Sequence, residues 1–144
     1  MWGAFKKMAV ADTIAPYVNK VFLLNEPSGP LIWAATLGFT VQILADFSGY
    51  TDIARGIARM LGFELIENFK NPYLAANPSQ FWRRWHVSFS SWIRDYLYFT
   101  FGGSRGTFAR TTLATFIAML LSGLWHGAAW TFVLWGAYHA TLLT

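Results

Sequence analysis

The sequence predicts an all-α membrane protein, with multi-pass helices and one amphipathic helix at the membrane interface. Three observations carry that expectation. The 144 residues are 55% apolar and 19% aromatic but only 12% charged, a balance too poor in charge for an ordinary soluble domain. The run from Thr111 to Thr144 contains no Asp, Glu, Lys or Arg, and it exceeds the roughly 20 residues needed to cross a hydrocarbon core. Between Phe81 and Phe99, aromatic side chains recur at steps of three and four, which places them on one face of a helix.

Taken in order, residues 2–24 read as an amphipathic helix with Lys6, Lys7, Asp12 and Lys20 on its polar side, lying on the membrane or barely entering it. Asp12, Pro16 and Asn19 interrupt any secretory apolar region, so this is not a signal peptide. The loop Asn25-Glu26-Pro27-Ser28-Gly29-Pro30 ends it. An apolar segment follows over 31–61, uncharged as far as Ala45 and able to run past Asp46 as a long or broken crossing. The piece from Asp46 to Asp52 is dense in small and hydrogen-bonding groups. Such composition suits a helix break at membrane depth, where freed backbone groups need partners. Asp46 and Asp52 stand six residues apart, about 240° around a helix, and are not expected to pair as carboxylates.

After a polar connection, Asn77 precedes Pro78 with Gln80 three residues on. This capping arrangement predicts an interfacial helix over 78–101. Its ring face is Phe81, Trp85, Phe89, Trp92, Tyr96 and Phe99, all within about 80°; Arg83, Ser90 and Arg94 lie opposite, with Arg84, Ser91 and Asp95 alongside. Gly102 and Gly103 end it. His86 falls at the border of that wheel, near Trp82 and Ile93, at about 140°. There it is either an interface anchor or a functional group.

The last apolar segment covers 108–143. As one straight helix, Thr111 to Thr144 would reach about 50 Å, so it crosses and turns or enters and breaks. Ser122-Gly123 and Gly127-Ala128-Ala129 flank His126, allowing the backbone to bend there or a neighbouring helix to approach. An ionisable side chain in an apolar slab is expensive. His126 is therefore a candidate functional group, against the plainer reading of a hydrogen-bonded core histidine. His139 lies thirteen residues on, roughly 220° around a shared helix, and is expected to be structural. One helix cannot aim both histidines at one metal, so no metal site is expected.

The absence of cysteine excludes disulfides, thiolate metal sites and a cysteine nucleophile. The net charge of +4 is spread between apolar spans and forms no nucleic-acid-binding stripe. Arg55, Arg59, Lys70, Arg83, Arg84, Arg94, Arg105 and Arg110 stand against only Glu64, Glu67 and Asp95 in the middle section, which should face the cytoplasm. The chain ends within an apolar segment at Leu142-Leu143-Thr144, as expected for a piece of a longer protein.

Three stretches carry a resemblance: DFSGYTDIARGIARMLGF; NPYLAANPSQFWRRWHVSFSSWIRDYLYF with GGSRG; and LLSGLWHGAAWTFVLWGAYH. Together with FKKMAVADTIAPYV near the start, they resemble the membrane-bound O-acyltransferases. The likeness is to the bacterial branch of alginate O-acetyltransferases, which also includes the D-alanyl transferase of teichoic acids. It implies a single partial domain over 1–144, lacking the family's outer helices, in a multi-pass protein of the bacterial inner membrane. His126 matches the signature histidine and His86 the second characteristic polar position.

The implied chemistry is transfer of an acyl group, acetyl foremost, to a hydroxyl of a cell-envelope polysaccharide. A sugar hydroxyl is a poor nucleophile, so a base must take its proton as the carbonyl is attacked. Desolvation keeps a histidine neutral and able to do so, which suits His126 as general base with His86 in support. No bound cofactor is expected; acetyl-CoA or an acyl carrier thioester serves as co-substrate. The cofactor-binding residues stay open, because Arg83, Arg84 and Arg94 suit an anionic donor or lipid phosphates equally. Expected partners are membrane lipids and the polysaccharide, reached through partner acetylation proteins, with no nucleic acid. Two alternatives remain: a transporter or channel module with His126 as proton relay or pore residue, and a non-catalytic scaffold of a polysaccharide secretion complex.

The topology is testable. In the full-length protein, cysteines introduced at Ser79 or Ser104 should react with an impermeant label only after the inner membrane is permeabilised. Labelling in intact spheroplasts would overturn the cytoplasmic placement.

Overall fold

The computed structural model describes residues 1–144. The chain is helical, with a single isolated bridge between Phe69 and Trp85 in place of any strand. It forms two compact units, Met1–Glu67 and Asn68–Thr144.

In the first unit, Trp2–Ala4, Phe5–Ala11 and Asp12–Phe22 run on as one helix, α1, whose middle part has wider π-helical turns. Helix α2, Gly29–Met60, starts with Pro30 in its first turn, where the missing N–H costs nothing. Its 32 residues extend about 48 Å, and it is long and apolar enough to cross a membrane. Of the long and the broken crossing that the sequence allows, the long one forms: α2 runs straight through 46–52. The small and polar residues there face α1 instead. A side chain at Gly3 would strike the Gly49 carbonyl at 2.5 Å, and one at Gly49 would strike the Gly3 carbonyl at 2.8 Å. The two backbones thus approach as closely as small residues permit.

The charges at this contact are paired across it. The Lys6 ammonium lies 2.7 Å from the Asp52 carboxylate and donates to Ser48 Oγ at 2.9 Å. Lys7 meets Asp46 at 2.8 Å and Asp12 at 2.7 Å, and these two carboxylates hold its ammonium well above the usual lysine range. Asp46 and Asp52 are therefore ion-pair partners of α1 and do not pair with each other. Further along, Val18 lies against Gly38, so the helices pack antiparallel.

In the second unit, α3 is Pro78–Arg84 and α4 comprises Val87–Trp92 continued by π-helical turns over Ile93–Tyr98. A long helix, α5, Phe108–His126, is joined by a three-residue turn to α6, Trp130–Leu143. Helix α5 is the second helix long and apolar enough to cross a membrane. It forms an antiparallel hairpin with α6. Gly123 leaves room for the Phe132 carbonyl, and Gly136 for the Met119 carbonyl. Ala114, Ala118 and Ser122 make a small-residue seam at four-residue spacing, and Ala140 is buried with them.

The buried apolar residues of both units are mostly alanines, while Trp33, Leu37, Leu113, Leu134 and Trp130 are exposed. A soluble core inverts this order. Packing on small residues with large apolar side chains outside is the pattern of helices surrounded by lipid or by further apolar helices.

Gly49→Val should lower the stability of detergent-solubilised protein by about 1–3 kcal/mol or more, because a side chain there overpacks backbone against backbone. Gly56→Val serves as the control, since nothing lies within 4 Å of a Cβ at Gly56. Equal thermal shifts for the two variants would contradict the close contact of α1 and α2.

Candidate functional site

The site grows from two interruptions of helix in the second unit. The first lies at His86. The expected helix does begin at Pro78: the Asn77 carbonyl oxygen of the side chain accepts from the Gln80 N–H at 2.8 Å. Gln80 reaches back to the Ala76 N–H at 3.0 Å, one residue earlier than a standard capping box. However, one continuous helix over 78–101 does not form. After Arg84 the chain extends through Trp85, and His86 takes a left-handed conformation with φ 44° and ψ 57°. Such a φ is uncommon outside glycine, though histidine tolerates it better than branched residues. A wheel position for His86 therefore has no meaning in the folded chain.

The cause is tertiary. The segment Asn68-Phe69-Lys70 lies alongside the interruption and satisfies its backbone: Lys70 N–H donates to the Arg84 carbonyl at 2.9 Å, and Val87 N–H donates to the Asn68 carbonyl at 3.0 Å. The Asn68 side chain accepts from the Ser88 N–H at 2.9 Å and so caps α4 from outside the helix. Ser90 Oγ donates to the Trp85 carbonyl at 2.8 Å. Phe69 packs edge-on against Trp85 and stacks near His86. Burial pushes the His86 imidazole below the usual histidine range, with the neighbouring His126 acting in the same direction.

The second interruption follows His126, which is the last residue of α5. The expected bend at Gly127-Ala128-Ala129 is present as the turn into α6. Gly127 leaves space that the Phe132 ring occupies, and that ring in turn stacks 6.1 Å from His126. Trp125 at 5.1 Å, Trp135 at 5.3 Å and Phe89 at 6.3 Å complete the rings around the imidazole. Despite these contacts His126 is exposed.

Phe89 joins the two histidines. Its ring stacks on His86 at 5.2 Å, touches Trp125 at 4.5 Å and meets His126 edge-on. His139 is closer to this group than a shared-helix angle allows, because His126 and His139 lie on different helices. Both rest on Trp135, at 5.3 and 4.5 Å, and His139 also touches Trp82 at 5.1 Å. Beside the group lies a cleft of about 570 Å³, whose walls include Ser79, Arg83, Phe89, Arg94, Thr111 and Ser122. The arginines differ in their freedom. Arg84 donates to the Leu74 carbonyl and Arg94 is held in two hydrogen bonds by Asp95, whereas Arg83 is exposed. The Arg94 guanidinium in turn holds the Asp95 carboxyl below its usual range.

Two imidazoles facing one aromatic ring, next to a cleft with hydroxyl and guanidinium groups, can move a proton and hold a polar substrate. Comparison of the whole sequence decides the family, since residues 3–144 match the membrane-bound O-acyltransferases. The chain belongs to that family. It is 48% identical over 143 residues to the probable alginate O-acetylase AlgI of Azotobacter vinelandii, covering 99% of this chain and 29% of that protein. It is 38% identical over 143 residues to a peptidoglycan O-acetyltransferase of Helicobacter pylori, covering 99% of this chain and 27% of the relative. With a teichoic acid D-alanyltransferase of Bacillus subtilis it shares 33% identity over 141 residues, covering 88% of this chain and 35% of the relative. The chain thus spans about a third or less of the relatives it matches.

The residues that sequence reasoning missed are Asn68, which builds the interruption, and Phe89, which was read only as one ring of an apolar face. Asn68→Ala should destabilise the protein by ~1 kcal/mol through loss of the α4 cap, while Asn68→Asp, which keeps an acceptor oxygen, should stay near wild type. Thermal unfolding in detergent measures both, and an unchanged Asn68→Ala would remove the cap from this account.

Proposed function

We propose that this chain carries the reaction centre of a membrane O-acyltransferase that moves an acyl group, acetyl foremost, from a thioester donor to a hydroxyl of a cell-envelope polysaccharide. The observation that carries the reading is the meeting of His86 and His126 on the Phe89 ring, beside the cleft. His126 acts as general base. It takes the hydroxyl proton as the oxygen attacks the thioester carbonyl, and returns it to the departing sulfur. His86, held by the left-handed turn, orients its partner or the donor carbonyl. The names of the relatives, which act on alginate, peptidoglycan and teichoic acid, support an envelope polymer as acceptor.

In this reading the two units belong to one partial domain, a view supported by a family match that runs unbroken through both. Helices α2 and α5 cross the bacterial inner membrane as parts of a multi-pass protein, the Arg105–Arg110 end of α5 faces the cytoplasm, α4 runs alongside α5 with Phe89 at the His126 end, and partner acetylation proteins carry the acyl group or present the polymer. The donor is a co-substrate, acetyl-CoA or an acyl carrier thioester, with Arg83 better placed than Arg84 or Arg94 to meet its phosphate, because those two are engaged within the chain.

In the full-length protein, His126→Ala should lower acyl transfer by about 10²- to 10⁴-fold, the range of general base catalysis, without changing abundance. His86→Ala should be milder, and the double variant should lose little more than His126→Ala alone, since groups acting as one unit are not additive. Near-wild-type transfer by His126→Ala removes it as the base, and multiplied losses make the histidines independent.

A further inference from the structure

Phe89 occupies a position that neither histidine explains. It is the residue that both lines the 570 Å³ cleft and touches the rings of His86 and His126. The cleft follows α5 from Thr111 to Ser122, a distance of about 16 Å at helical rise. Ser122 is one helical turn short of His126. At that end the Phe89 ring lies against Trp125 and His126, the next turn of α5. A substrate group extending along the cleft toward His126 therefore meets Phe89 before it meets the imidazole.

The ring is also held in place. Phe89 lies in α4, whose start is pinned by Asn68 and whose Ser90 neighbour is tied to the Trp85 carbonyl. His86 stacks on it and Trp125 lies tilted against it. A ring gripped in this way cannot swing aside without disturbing the histidine it stacks on. The cleft walls near it are apolar at Val87, Ala118 and Met119 and polar at Ser90 and Ser122. Such a lining accepts a short acyl chain together with the polar amide and carbonyl groups of a thioester arm.

We propose that Phe89 is the specificity-determining wall of the acyl site: its ring fills the space that a chain longer than acetyl would need between the cleft and His126. This rests on the acyltransferase reading above. In the reaction concerned, the hydroxyl oxygen forms a bond to the thioester carbonyl carbon while the carbon–sulfur bond breaks; the proton passes through His126 to the leaving thiolate, and no redox partner is needed. Acetyl presents only a methyl group beyond its carbonyl and fits in front of the ring. Butyryl and hexanoyl chains must displace it.

The test uses the full-length protein in native membranes with acetyl, butyryl and hexanoyl thioesters, each supplied on coenzyme A and on a phosphopantetheine carrier protein. The two supplies separate a coenzyme donor from a carrier-bound one. For Phe89→Ala and the better-packed Phe89→Leu, the butyryl-to-acetyl ratio of kcat/KM should rise by about 10-fold or more, since one methylene in an apolar pocket is typically worth that much discrimination. The greater rise is expected for the alanine variant. Equal loss with every donor in both variants would make Phe89 a packing residue and overturn the proposal, as would an unchanged ratio with full activity. Absence of transfer by the wild-type protein from any donor would instead bring down the acyltransferase reading itself.

Discussion

A helix that breaks leaves backbone donors and acceptors that must find other partners, and the second unit is arranged around meeting that constraint. At His86, the Asn68–Lys70 segment supplies both the acceptor for Val87 N–H and the donor for the Arg84 carbonyl. The Asn68 amide closes the next helix start and Ser90 closes the Trp85 carbonyl. With those bonds in place, a left-handed histidine becomes affordable, and its ring is turned to stack on Phe89. Without them, the same residues would continue as one amphipathic helix and His86 would follow the wheel.

The second interruption works by different means. At 127–129 the turn is short, and its bonds are local, from Gly127 N–H to the Leu124 carbonyl and from Ala129 N–H to the Gly127 carbonyl. What holds the hairpin is close backbone approach, with Gly123 at the Phe132 carbonyl and Gly136 at the Met119 carbonyl. In an apolar surrounding there is little hydrophobic drive to bring helices together, so close backbone approach and dispersion must do so. Glycine at 127 then admits Phe132 beside the turn, and Phe132 flanks His126.

The first unit shows the same economy applied to charge. Lys6 and Lys7 each find carboxylates on α2, and the glycine pair at 3 and 49 lets the helices come near enough for those bonds. Truncating one partner of a partly buried pair leaves a charge with poor solvation, which is why the contact is more sensitive to loss of one member than to exchange of both.

Much of the helix inventory was legible in the sequence because its causes are local. Apolar runs, the Asn77-Pro78 cap, the glycines at 102 and 103 and the small residues after His126 act within a turn or two of themselves, and each marks a boundary that the structure has. The prominence of His126 followed from an ionisable group near the middle of a long uncharged run. Three features needed the folded chain. The stretch from Asp46 to Asp52 looks like a break but stays helical, because its polar groups are met by Lys6 and Lys7 some forty residues away. The helix at Pro78 looks continuous but breaks at His86, because Asn68 and Lys70 take its hydrogen bonds. The meeting of His86, Phe89 and His126 then depends on both α4 and α5 being in place. Periodicity reports what a segment prefers alone; which partner satisfies a freed backbone group, or which ring lies between two histidines, is decided only when distant segments compete for the same bonds.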